Sequence, residues 1–185
     1  ATAILAGDAL LTRAFEVIAL HQKPAEAALK CCAELSNAAG ATQMVGGQED
    51  DLAAEDEAGD LEQLIKIHRR KTGAMLTASL RMGAITAGAS SEQIGWLTAY
   101  GSKLGLAFQI IDDLLDLTGE EEKIGKRTGQ DSHRGKLTFP SLLGAKESRQ
   151  RAESLIAEAI VDLAPFGSRA SNLEALASYV VQRNH

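Results

Sequence analysis

The chain has 185 residues, with 19 lysines and arginines against 25 aspartates and glutamates, for a net charge of −6 at pH 7. That balance excludes the broad basic surface that nucleic acid or an anionic membrane demands, and it points to small or neutral partners. Alanine and leucine dominate, valine is scarce, and the three prolines (Pro24, Pro140, Pro165) leave residues 25–139 free of helix breakers, so the composition predicts an all-α fold in a single domain, 1–185.

The opening ATAILAGDALLTRAFE carries helical periodicity from its first residues, with Ile4, Leu11, Phe15 and Ile18 on one side. It has neither an initiator Met nor the basic segment of a signal peptide. The reading is therefore of a chain that starts inside a structure. A helix is predicted over about 3–21, and a second from Pro24 to Ala39, ended by Gly40. Cys31 and Cys32 are neighbours without metal-ligand spacing, which suits buried thiols in a reducing compartment such as the cytoplasm.

TQMVGGQEDDLAAE reads as a helix loosened by Gly46 and Gly47, and Asp60 is placed to cap a long helix from Leu61 to about Ala87. Another long helix is predicted from Ser91 to about Leu117. A glycine-rich loop comes next, from Gly119 to Gly135. FPSLLG restarts helix, an amphipathic piece runs to about Leu163, and NLEALASYVVQR forms a last short helix. No segment is long and apolar enough to span a membrane.

The chemistry concentrates in FQIIDDLLD. On a wheel of about 100° per residue, Asp112, Asp113 and Asp116 lie within roughly 60° of Gln109, while Leu104, Ala107, Ile110, Ile111 and Leu114 fill the opposite half. No lysine or arginine shares the polar stripe. Carboxylates three and four apart repel by about 3 kcal/mol per pair at an effective dielectric near 20, and by less than about 1 kcal/mol in bulk water. A solvated acidic face is thus the competing reading, but the apolar flanks favour an enclosed stripe that holds cations. Hard oxygen donors with no His or Cys exclude zinc, the helical spacing excludes an EF-hand loop, and a Mg²⁺–diphosphate site fits.

Phosphates bridged to those acids need cations from elsewhere. In LEQLIKIHRRKTGAML, taken as an unbroken helix, Lys71 and Thr72 share a side with Leu64, His68 and Leu76, whereas Lys66, Arg70 and Arg81 point away. Lys66, Arg69 and Arg70 read as solvated charge. Lys71 and Thr72 on an apolar side are costly unless a ligand meets them. His68 reads as a hydrogen-bonded core residue. The loop adds Lys123, Lys126, Arg127, Arg134 and Lys136, among which spacing alone does not choose.

LAGDALLTRAFE, GGQEDDL, HRRKTGAML, YGSKLGLAFQIIDDLLD, GKRTGQD, GKLTFPSLLG and EALASYVVQRN, in this order, resemble the trans-type isoprenyl diphosphate synthases of the short-chain farnesyl and geranylgeranyl kind. The resemblance implies an all-α bundle around a deep central cavity, usually homodimeric, that condenses an allylic diphosphate with isopentenyl diphosphate using Mg²⁺. It assigns the metal to Asp112, Asp113, Asp116 and Asp131, and catalytic roles to Lys71, Lys126 and Asp112. Substrate contacts fall to Lys71, Thr72, Gln109, Lys126, Lys136, Gln48 and Asp51.

One departure stands out. The family's first aspartate-rich motif and the arginine pair after it precede the LAGDAL segment, and this chain begins too late to contain them. The absent portion is therefore expected to be N-terminal, and these 185 residues alone to turn over little. A non-catalytic subunit of a hetero-oligomeric synthase and a terpene cyclase are the alternatives. Against the first stand the second aspartate-rich motif, the Lys-Thr pair and the loop lysines; against the second, the Lys-Thr pair and the GQxxDL element.

Overall fold

The computed structural model describes residues 1–54, 59–124 and 137–183, with the backbone alone over 118–124. Every regular element among the described residues is helical. Helix α1 spans Thr2–His21, α2 Ala25–Ala39, α3 Met44–Ala53 and α4 Leu61–His68; a π-helical segment, Arg69–Gly73, leads into α5, Ala74–Thr86. Helix α6, Ser91–Ile124, is followed by α7, Phe139–Leu143, α8, Ala145–Asp162, a 3₁₀ segment, Ala164–Ala170, and α9, Ser171–Gln182.

Local chemistry sets the boundaries. Gly40 ends α2. Asp60 accepts from the Gln63 N–H at 2.8 Å and starts α4. Thr138 and Ser141 exchange side-chain-to-backbone bonds in a capping box at the head of α7, where Pro140 sits in the first turn.

Helix α6 is the axis of the fold. Tyr100, Leu104, Leu106, Ala107, Ile110, Ile111 and Leu114 are all buried along it, because α5 packs on one side and α8 on the other. Helix α8 answers with Ala152, Leu155, Ile156 and Ala159 at helical spacing. The crossing with the π-helical segment is close because glycines meet: a Cβ on Gly105 would stand 2.8 Å from the Gly73 Cα. Tyr100 is wholly buried and donates its hydroxyl to the Leu173 carbonyl at 2.8 Å. Burial pushes that phenol up to about 12.

Three expectations change. Helix α6 continues to Ile124 instead of stopping near Leu117; the glutamates after Gly119 are good helix formers and no proline interrupts them. The helix predicted from Leu61 to Ala87 contains the π-helical turn, and the extra residue rotates α5 relative to its setting in an unbroken helix. Third, Arg70, read as solvated charge, is ion-paired, and Arg81, which points away from the apolar side, finds a partner there too. Arg81 forks onto Glu34 of α2, donating through Nε at 2.8 Å and Nη2 at 2.6 Å, while Nη1 donates to Thr98 Oγ1 at 2.8 Å. The Arg81 guanidinium holds the Glu34 carboxyl below its ordinary range.

Candidate diphosphate and metal site

The π-helical segment presents two adjacent cations to α3. Arg70 pairs with Asp50 and donates to the carbonyls of Thr42 at 3.0 Å and Ala41 at 3.2 Å. Lys71 Nζ donates to Asp51 Oδ2 at 2.6 Å. Close approach makes this possible, since a Cβ on Gly47 would lie 2.5 Å from the Lys71 nitrogen and 2.7 Å from the Arg70 Cβ. The GGQEDDL and HRRKT motifs are thus zipped along one seam. Gln48 stands exposed at its rim and Thr72 is half-buried.

The same segment packs on α6 through Gly73 and Gly105, one helical turn before Gln109. Gln109 donates through Nε2 to Asp112 Oδ2 at 3.0 Å. The other oxygen of Asp112 pairs with Arg183, which reaches in from the end of α9. Arg183 also donates to the Phe108 carbonyl at 3.1 Å and lays its guanidinium over the Phe108 ring, 4.1 Å from the centroid. Burial raises the Asp112 pKa above its usual range, the Arg183 bond and charge pull it back, and the charges of Asp116 and Asp113 push it up again.

The three aspartates occupy different environments. Asp112 is 37% exposed at its side chain, Asp116 is exposed, and Asp113 is only 10% exposed. Asp113 Oδ2 lies 3.2 Å from His68 Nε2 and accepts the Phe139 N–H at 2.9 Å. Among the described residues no group of three or more His, Cys, Asp and Glu side chains is placed to hold a metal ion; Asp113 is engaged by His68 and the head of α7, while Asp112 and Asp116 keep solvent access. Lys126, Asp131 and Lys136 lie outside the described residues.

A cavity of about 370 Å³ opens between α2, α5 and α6, lined by Glu34, Asn37, Arg69, Thr77, Arg81 and Ser102. None of the predicted site residues lines it. Sequence reasoning missed Arg183 as a partner of Asp112. The signal available was a basic residue in the C-terminal motif EALASYVVQRN, and nothing in linear spacing joins residue 183 to residue 112.

The sequence model of the family described as Polyprenyl synthetase matches residues 1–170. The chain belongs to that family. It is 47% identical over 186 residues to a dimethylallyltranstransferase of Fischerella ambigua (strain UTEX 1903), covering 99% of this chain and 54% of that protein. It is 42% identical over 191 residues to the farnesyl diphosphate synthase of Escherichia coli (strain K12), covering 100% of this chain and 64% of that one. The fold superposes on a geranyltransferase of Helicobacter pylori complexed with magnesium and isoprenyl diphosphate, with a TM-score of 0.80 and 33% identity over 98% of this chain and 59% of that one. The chain thus spans between about half and two thirds of the length of these relatives.

Proposed function

We propose that the protein carrying this chain is a trans-prenyltransferase that joins an allylic diphosphate to isopentenyl diphosphate, giving a longer isoprenyl diphosphate of the farnesyl or geranylgeranyl class. The observation that carries this is the meeting of two unlike surfaces on α6: an acidic face ending in Asp112 and Asp116, and a π-helical segment bearing Lys71 packed against the same helix one turn before Gln109. A diphosphate needs both.

The donor set suits Mg²⁺, which takes one or two carboxylates and leaves its remaining positions to water and phosphate oxygens. Asp112 and Asp116 would hold it, and when bound it would neutralise charge on the departing pyrophosphate. Lys71 exchanges its contact with Asp51 for a phosphate oxygen, with Thr72 as a hydroxyl donor beside it. Gln109 orients Asp112. Lys126 and Lys136 add cations, and Asp131 a further oxygen donor. As the allylic C–O bond breaks, its electron pair leaves with the pyrophosphate, the double bond of isopentenyl diphosphate attacks the freed carbon, and a proton passes to the released pyrophosphate to restore a double bond. These cations act where negative charge develops.

Two further assignments belong to the same reading. The exposed leucines and isoleucine of α1 suit the face shared by two copies in a homodimer. Two free cysteines, Cys31 and Cys32, and the lack of any described helix long and apolar enough to cross a membrane suit the cytoplasm.

The test is product analysis on the full-length protein with labelled isopentenyl diphosphate and, in turn, dimethylallyl, geranyl and farnesyl diphosphates. Chain-extended products with Mg²⁺ and none with EDTA are expected. Equal turnover in EDTA, or no extended product from any of the three allylic substrates, overturns the proposal.

A further inference from the structure

We infer that Asp113, the second acid of the motif, is a positioning residue and not a metal ligand, held in that role by His68 and the Phe139 backbone N–H. The inference rests on the reading of α6 as a metal and diphosphate face, and it divides the labour among the three aspartates.

The geometry is specific. His68 closes α4 and Phe139 opens α7, so a single carboxylate oxygen of Asp113 ties both to α6. The Phe139 N–H is the first of α7 and has no acceptor within its own helix, so Asp113 supplies one. The His68 and Phe139 rings stack, with centroids 5.8 Å apart and an interplanar angle of 14°, and Phe139 is 1% exposed. His68 Nδ1 is buried without a hydrogen-bond partner, so the Nε2 contact to Asp113 is the one that fixes the ring. Asp112 and Asp116, by contrast, keep solvent access on the polar side of the same helix.

Both donors meet the same atom, Oδ2. The amide oxygen of an asparagine can accept the same two bonds, because a carbonyl oxygen has two lone pairs. A hard divalent cation, however, selects the charged carboxylate over the neutral amide. Asp113→Asn therefore preserves a pin and damages a ligand, and Asp112→Asn serves as the ligand control. Asp113→Ala removes the pin.

The experiment uses the full-length protein, with Mn²⁺ and inorganic pyrophosphate as the probe. Bound Mn²⁺ is followed by electron paramagnetic resonance, and the melting temperature is measured without metal. Asp113→Asn is expected to keep both values near wild type. Asp113→Ala should lower the melting temperature by several degrees and weaken Mn²⁺ about tenfold by releasing the motif, a loss that Asn restores. Asp112→Asn should weaken Mn²⁺ at least as much with no fall in melting temperature. Equal Mn²⁺ losses in Asp113→Asn and Asp112→Asn overturn the inference, as does an unchanged melting temperature in Asp113→Ala. Failure of the wild-type protein to bind Mn²⁺ with pyrophosphate would instead remove the function reading, leaving the pin to be judged by the melting temperatures.

Discussion

Helices α6 and α1 are both long and rich in apolar residues, yet their surroundings are opposite. Along α6, Ile110 and Ile111 are wholly buried and the neighbours that bury them belong to this chain. Along α1 no residue is buried, and Ile4, Leu5, Leu10 and Leu20 all stand exposed. Apolar periodicity therefore announces that a face will be covered without saying by what. The two helices can be told apart by substitution, because burial converts a lost methylene into free energy and exposure does not.

The largest effect is expected from Ile110→Ala. Its side chain is 0% exposed in the main cluster, and removing it should cost about 2–5 kcal/mol by urea denaturation, from lost transfer energy and the cavity left behind. A loss under about 1 kcal/mol would show that α6 is not the closed axis of the fold. Next comes Gly47→Ala, on the seam between α3 and the π-helical segment. The new methyl would meet the Lys71 nitrogen and the Arg70 Cβ, so α3 has to move and a loss of about 1–3 kcal/mol is expected. If stability is unchanged, the seam is looser than the glycine contact implies.

These two sites also show how much was legible in advance. Ile110 sits at the centre of a periodic apolar half, and such a pattern maps directly onto packing; the Gly40 and Asp60 boundaries likewise come from local backbone chemistry. The π-helical turn was not legible, because nothing in HRRKTG states that one extra residue will be accommodated. Asp113 and Arg183 illustrate the remaining gap. Spacing grouped three aspartates on one side of a helix, but which of them stays free depends on His68, 45 positions before Asp113, and on Arg183, 71 positions after Asp112.

A smaller effect separates two carboxylates by the sign of their pH dependence. Asp112 has its pKa raised, first by burial, so the native protein holds that proton to higher pH than the unfolded chain does. Through the window from the ordinary aspartate value up to the raised native one, the native state binds more protons and stability falls as pH climbs. Glu34 behaves oppositely. Its hydrogen bond to Arg81 lowers the native pKa, so its contribution is present above the ordinary glutamate value and is lost as pH falls through the native one. Urea midpoints followed from acid to neutral pH should therefore lose a falling component in Asp112→Asn and a rising one in Glu34→Gln. Parallel curves for both variants and wild type would contradict the environments assigned to the two groups.

The smallest effect is expected on α1, and it sharpens the contrast most. Leu5 and Leu10 are 66% and 71% exposed, so Leu5→Lys with Leu10→Lys should alter the stability of a dilute, monomeric sample of this chain by no more than about 0.5 kcal/mol per site. Sedimentation should respond where denaturation does not, since two lysines on an apolar patch oppose association through that face. If the double variant instead loses stability on the scale of Ile110→Ala in a sample shown to be monomeric, α1 is packed in solution against residues of its own chain. The apolar side of that helix would then belong to the core rather than to an interface, and the opposition between α1 and α6 would fail at its weaker end.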